Sequence, residues 1–268
     1  MTVVISTNFT LVLGNENANS PIIGIDNQLT TGNITATDAA SGYPVTNLAN
    51  PSTLERWTAS STGIKYLTCT LPGSKLIDYV GLAAHNFGTA GIAVSVEADT
   101  GSGYTEVVAP VLLPDDRPLI IRFDRGTYTG VRVKLGTGSA AAQCAVMYVG
   151  KYLALQRNLY VGHTPINLNR NRNVITGMSE DANFLGRITT GRTASTSVSL
   201  QNLTPGWYRT YMDPFLEQAE TRPFFFAWRP QGYPREVGFC WLTGNPTPKN
   251  QRANGMMQID LSLGGLVQ

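Results

Sequence analysis

Short apolar or β-branched runs, bounded by Gly, Pro, Asn and Asp, recur about every ten residues through residue 150. That spacing favours a β-sandwich over any helical architecture. The clearest runs are GIKYLTCTL (63–71), KLIDYVGLAAH (75–85), GIAVSVEAD (91–99), RPLIIRF (117–123), TGVRVKL (129–135) and CAVMYVGKYL (144–153). In GIAVSVEAD, Ile92, Val94 and Val96 point one way and Ala93, Ser95 and Glu97 the other, the period-2 pattern of a half-buried strand. DTGSGY (99–104) supplies the turn that follows.

Near residue 155 the texture changes, first to the polar loop NLNRNRN (167–173), then to Gly/Thr/Ser-rich segments with weaker alternation. A helix is expected near 205–220: Thr204 as N-cap and Pro205 at the first helical position open TPGWYRTYMDPFLEQAE. Trp207, Tyr211, Phe215 and Ala219 fall on one apolar stripe, and Pro214 inside it predicts a kink. The strands FFFAW and EVGFCWL follow, joined by RPQGYPR, and then MMQIDLSL (256–263), where Met257, Ile259, Leu261 and Leu263 face in while Gln258, Asp260 and Ser262 face out.

The stretch PFFFAWRPQGYPREVGFCWL raises a question of cover. Full burial of a Phe-sized side chain is worth roughly 1.5–3 kcal/mol, so leaving several in water would cost about a domain's whole margin of stability. Phe224, Phe226 and Trp228 lie on one face of the hairpin, yet Phe225 and Ala227 on the other are apolar too, and Val237, Phe239 and Trp241 repeat the pattern opposite Cys240 and Leu242. One helix can shield one face. The other needs the preceding β-sandwich, another sheet, or a neighbouring copy of the chain. Phe224, Phe225, Phe226, Trp228, Phe239 and Trp241 are therefore both core candidates and candidate subunit-interface residues.

Charged residues make up 14% of the 268, below the roughly 25% of an average soluble domain, and short polar side chains fill the surface instead. A net charge of +2 argues against a dedicated nucleic-acid binder. Cys69, Cys144 and Cys240 stand apart without CxxC spacing and read as buried thiols of a protein folded in a reducing compartment. The N-terminal segment MTVVISTNFTLVLGNENANS lacks the pattern of a signal peptide, and no stretch of roughly 18 apolar residues occurs, so a soluble chain folded in the cytoplasm is expected.

Catalysis finds no foothold. His85 and His163 have no Cys or carboxylate at ligand spacing, so no metal is assigned. The carboxylate pairs Asp115/Asp116, Glu180/Asp181 and Glu217/Glu220 each sit where a turn, a loop or a helix surface explains them. No G-x-S-x-G, Walker A or helix-opening G-x-G-x-x-G occurs, and the Gly-rich stretches read as turns; no enzyme activity and no cofactor are expected. Arg170 and Arg172 could touch an acidic surface or simply be solvated, and Trp57, Tyr66 and Tyr43 could form a sugar-stacking platform or core.

Residues 33 to about 153 resemble the galactose-binding-like, discoidin-type β-sandwich, through ITATDAASGYPVTNLANPSTLERWTAS, LTCTLPGSKLIDYVGLAAHN, AVSVEADTGSGYTEVV and VRVKL taken in order. The resemblance implies a jelly roll whose core tryptophan is Trp57, and loops around His85, Asn86, Asp115 and Asp116 that could meet a cell-surface glycan. Its frequent terminal disulfide is missing. The closing strands PFFFAWRP, EVGFCWL and MMQIDLSLGGL are similar to those of tailed-bacteriophage distal-tail and tail-tube-like domains, which implies a ring-type homo-oligomer at a tail tip or baseplate, beside tube, hub or fibre proteins. That family puts the ring domain first; here the sandwich precedes it. The expected organisation is a β arm (1–32), the sandwich (33–154) and a distal-tail-like β domain (155–268), made in a host cytoplasm and carried in the virion tail. The arm could add a strand to a neighbour or to its own sheet.

Overall fold

The computed structural model describes residues 3–5, 18–169 and 171–266, and the chain is mainly β. In chain order the strands are β1 (Val3–Ile5), β2 (Ile22–Gly24), β3 (Ile34–Ala36), β4 (Trp57–Thr58), β5 (Lys65–His85), β6 (Ala93–Asp99), β7 (Tyr104–Leu112), β8 (Leu119–Leu135), β9 (Gln143–Gly150) and β10 (Leu153–Ala154). They continue with β11 (Asn171–Met178), β12 (Phe184–Leu203), β13 (Phe224–Ala227), β14 (Val237–Leu242), β15 (Lys249–Asn250) and β16 (Met257–Gly265). The helical run is α1 (Pro205–Trp207), a π-turn over Tyr208–Met212 and α2 (Asp213–Ala219).

The first sheet runs β4-β9-β5-β8-β6-β7, with β3 on β5 and β1 parallel to β8. Two pairs of runs that read as separate strands are continuous. GIKYLTCTL and KLIDYVGLAAH fuse into β5, and RPLIIRF and TGVRVKL fuse into β8. Their register slips between Thr70 and Lys75 and between Ile77 and Tyr79, so the Pro-Gly stretch acts as a bulge that bends a strand rather than ending it. The bend wraps both strands around one core that holds Trp57, Phe87, Phe123 and Leu67. Trp57 is fully buried, and its indole N–H donates to the Asp38 carbonyl at 2.9 Å. The expected polar face of β6 is covered as well: Ser95 is 1% and Glu97 8% exposed, and the Glu97 carboxylate is taken up by Arg132 at 2.5 Å.

The second sheet runs β10-β2-β13-β14-β16-β12-β11, with β15 on β16. Strands β2 and β10 flank the sandwich in sequence and pair with each other, and β2 pairs with β13. The chain therefore enters and leaves the sandwich through the second sheet. The described parts of the N-terminal arm pair within their own chain, β1 with β8 and β2 with β13; residues 1–2 and 6–17 of the arm lie outside the described residues. Strand β16 buries Met257, Ile259, Leu261 and Leu263 in the alternation its sequence shows.

The helical run covers one face of this sheet, with Phe215 and Ala219 on the expected stripe and the first turn out of phase with it. Tyr208, Met212, Phe215 and Ala219 are buried, whereas Trp207 is half-buried and Tyr211 is 45% exposed. The π-turn explains the shift, because it inserts one extra residue ahead of Pro214, which has no N–H to donate back into the preceding turn. Thr204 stands at the N-cap position without a capping hydrogen bond; its hydroxyl accepts from the Gln156 amide at 2.9 Å instead.

Candidate assembly surface and ligand clefts

The aromatic hairpin lies between two layers of its own chain. Its register pairs Phe224 with Cys240, Phe225 with Phe239 and Ala227 with Val237. Phe224, Phe226 and Cys240 pack under the helix, with Phe215 edge-on to Phe224 at 5.1 Å. Phe225, Ala227, Val237 and Phe239 face the first sheet, where the Tyr148 ring stands edge-on to Phe225 at 5.4 Å and to Phe239 at 6.1 Å. Phe224, Phe225, Phe226 and Phe239 are at most 5% exposed, so of the two alternatives these four positions take the core one, with their cover drawn from the chain itself. Trp228 is half-buried, stacked on Tyr233 at 5.3 Å with its N–H on the Glu236 carboxylate. Trp241 alone of the six keeps a largely open face, at 43%.

A buried ionic cluster reinforces the same junction. Asp78, 1% exposed, accepts from the Arg125 guanidinium at 2.7 Å and from the Tyr152 backbone N–H at 2.8 Å, and the Arg122 guanidinium lies 4.7 Å from the Tyr152 ring. Burial pushes the Asp78 carboxyl up to about 6, against the pull of Arg125.

Of the ligand-loop candidates, His85, Asp115 and Asp116 line a shallow hollow of about 530 Å³ and Asn86 does not, and their polar atoms are engaged. His85 is 5% exposed; its Nε2 lies 2.9 Å from the Arg117 carbonyl and its Nδ1 3.3 Å from the Phe87 N–H. Both contacts suit a neutral ring with the proton on Nε2, and burial lowers its pKa to about 4. The Asn86 amide donates to the Ala141 carbonyl and accepts from the Gln143 N–H. Asp116 takes the Thr89 backbone N–H at 2.9 Å, and Asp115 pairs with Arg235 at 2.7 Å, tying the sandwich to the hairpin turn. Of the possible sugar platform, Trp57 is core, Tyr66 lies 4.5 Å from the Arg132 guanidinium, and Tyr43, 41% exposed, lies 5.7 Å from the Arg56 guanidinium.

A deeper cleft of about 600 Å³ opens between the sandwich exit and the helix. Trp207 and Tyr211 form one wall with ring centroids 5.8 Å apart, and Lys151, Gln156 and Gln218 add polar groups. Sequence reasoning assigned these two rings to the core, where only an unbroken α-helix would have put them.

A two-stranded ribbon extends from the second sheet. Strand β12 pairs with β16 only from Ala194 onward; before that, residues 171–193 pair only with each other, Arg172 opposite Arg192, Ile175 opposite Ile188 and Met178 opposite Phe184. The NLNRNRN segment thus runs from a short 3₁₀ turn (Ile166–Leu168) into a strand, with Arg172 exposed on it and Arg170 outside the described residues. Ten strand residues carry the ribbon about 33 Å past the sheet. Ile175, Met178, Phe184, Leu185 and Ile188 are 54–69% exposed along it. The sequence signal was available in VITGMSEDANFLGRI, apolar residues on both sides of a polar turn.

Among the described residues no group of His, Cys, Asp and Glu could hold a metal ion, and no helix is long and apolar enough to cross a membrane. No protein-family model and no curated protein sequence matches the chain. Among solved structures it is similar to chitosan-binding module 1 from a chitosanase/glucanase of Paenibacillus sp. IK-5, at 18% identity and TM-score 0.41, over 47% of this chain and 99% of that one. It is similar also to a pectin-binding carbohydrate-binding module, at 14% identity and TM-score 0.39, over 44% of this chain and 88% of that one. A third is CBM32-3 from a family 31 glycoside hydrolase of Clostridium perfringens, at 18% identity and TM-score 0.37, over 46% and 94% of the two chains. What this chain does has to be read from its own residues.

Proposed function

We propose that the chain is a structural component of a bacteriophage tail tip or baseplate that assembles in several copies through the β11–β12 ribbon. It would be made in a host cytoplasm and carried in the virion tail, beside tube, hub or fibre proteins. The phage assignment rests on the resemblance of the closing strands within residues 223–266. The ribbon carries the assembly reading. Its five exposed apolar residues present about 600 Å² in all, taking roughly 200 Å² for a whole residue of this size, divided between the ribbon's two faces, with the Ile175/Ile188 pair on one and the Met178/Phe184 pair on the other. Clasped on both faces by a neighbour, that area approaches the roughly 800 Å² per partner of a stable interface. A two-stranded ribbon is marginal in water on its own. Covering it with a second copy removes both costs.

The test is sedimentation velocity on the full chain, with electron microscopy of the product. Closed rings are expected, and replacing residues 174–189 with a short Gly-containing turn should leave a folded monomer. A wild-type chain that stays monomeric at high micromolar concentration refutes assembly. Antibodies that fail to decorate tail tips of the producing phage refute the location.

A second reading, glycan binding at a host surface, is favoured by the Trp207/Tyr211 cleft, since apolar sugar faces pack on aromatic rings while amides take the hydroxyls. Binding on a glycan array that Trp207→Ala abolishes would support it; no binding at millimolar saccharide would end it.

A further inference from the structure

The helix that shields the aromatic hairpin turns a second, quite different face outward. Asp213, Glu217 and Glu220 follow one another at i, i+4 and i+7, all exposed, and among the described residues none of the three makes an ion pair. They line a groove of about 740 Å³ whose other wall is the loop after β14, with Pro246 in it. Tyr208 lines the same groove at 4% exposure, and its buried hydroxyl has no hydrogen-bond partner among the described residues. A buried, unmatched hydroxyl costs about 1–3 kcal/mol unless something outside the chain reaches it.

The ribbon carries the opposite charge. Arg172, Arg187 and Arg192 are exposed along its shaft, and among the described residues none of them has a carboxylate partner. Arg172 and Arg192 sit directly opposite each other, an arrangement of like charges that costs energy until an anion lies beside it. Acidic residues on the ribbon, Glu180 and Asp181, are confined to its turn. Five strand residues from Arg187 to Arg192 span about 16 Å, and the seven helical residues from Asp213 to Glu220 about 10 Å, so the two rows are of one scale.

We propose that the acidic groove beside the helix receives the ribbon shaft of a second copy of this chain, head to tail. The arginines meet the helix carboxylates, a guanidinium reaches the Tyr208 hydroxyl, and Met178 and Phe184, on the arginine face of the ribbon, cover Leu216 and Pro246. Ribbon and groove are different patches, so the contact is heterologous and repeats around a ring or along a filament rather than closing as a twofold dimer. This inference rests on the self-assembly proposed above and names its second surface.

Charge exchange on the full-length chain tests it by sedimentation velocity. The substitutions Glu217→Lys and Glu220→Lys in the groove, or Arg187→Glu and Arg192→Glu on the ribbon, change exposed positions and leave folding intact. Each pair should raise the dissociation constant of assembly at least tenfold. Mixing the two variants, or combining all four substitutions in one chain, should restore assembly. Tyr208→Phe should weaken it about tenfold, the value of one hydrogen bond to a charged group. If the groove variant assembles like wild type, the groove is not the receptor and this inference falls while self-assembly stands. If the groove pair and the ribbon pair each abolish assembly but neither mixing nor the fourfold exchange restores it, the pairing is wrong and the inference falls. If wild type itself never assembles, both fall.

Discussion

The contact most diagnostic of how the two sheets are joined is that between Gly81 of β5 and the ring of Phe225. A Cβ built on Gly81 would stand 2.6 Å from two carbons of that ring, far inside contact distance. The ring cannot move aside, because it is fully buried between Tyr148 and Phe239. Gly81→Ala should therefore cost about 1–3 kcal/mol through overpacking. Phe225→Ala should cost about 3–5 kcal/mol through the lost transfer energy and the cavity left behind. With an unfolding entropy of about 2.1 cal/mol/K per residue, a chain of 268 residues loses about 1.8 °C of Tm per kcal/mol. The single variants should then melt about 2–5 °C and 5–9 °C lower. The double variant is the decisive one. Its added methyl occupies space the ring has vacated, so the two losses should fail to add, with a coupling of about 1–2 kcal/mol in favour of the pair. Urea and thermal unfolding of all four proteins measure it. Losses that add within about 0.5 kcal/mol would show that the methyl and the ring never compete for one space, and that the two sheets do not meet as described.

His85 should make stability fall in mild acid. Its folded pKa, about 4, lies below its unfolded value of 6.5, so the unfolded chain binds the proton first; its contribution is whole above pH 6.5 and declines as pH falls toward 4, by up to about 3 kcal/mol. Asp78, raised to about 6 by burial, works in the opposite direction over much of that range, so the measurement is the difference between wild type and His85→Gln in urea midpoints at pH 7.5 and 4.5; equal losses would refute it. Cys69, Cys144 and Cys240 are buried with thiols pushed up to about 12, so a thiol reagent should label none of them in the folded chain and all three in urea; rapid native labelling would place a thiol at the surface. The Asp115–Arg235 pair has its arginine 56% exposed, so Arg235→Ala should change stability by less than about 1 kcal/mol despite tying the sandwich to the hairpin turn, and a larger loss by denaturation would overturn that.

What could be read from residues alone was whatever is decided locally. The alternation of β16 survives intact because each side chain's face follows from its position in the strand. The double-sided demand of the hairpin was legible too, as a demand; its answer was not, since Gly81 and Tyr148 lie 144 and 77 positions before Phe225 and become its cover only through the pairing of whole sheets. Strands β5 and β8 read as broken because Pro72-Gly73 and Arg125-Gly126 look like turns, and only the register across the sheet shows a bend. The helix stripe holds at Phe215 and Ala219 and was misplaced only at Trp207 and Tyr211, because the π-turn over Tyr208–Met212 shifts the phase of the first turn against the residues beyond it. That small rotation has the widest functional consequence. It turns Trp207 and Tyr211 out of the core toward a cleft, seats Tyr208 beneath the groove, and lets Pro214 continue the chain to Glu217 and Glu220 on the far side. Meanwhile the polar, weakly alternating stretch after residue 165 forms the ribbon, where apolar side chains stay exposed for want of a second layer. A surplus of water-averse strand does exist in this chain, but in the ribbon rather than in the phenylalanines, and the arginines along that ribbon are what give it a direction in which to dock.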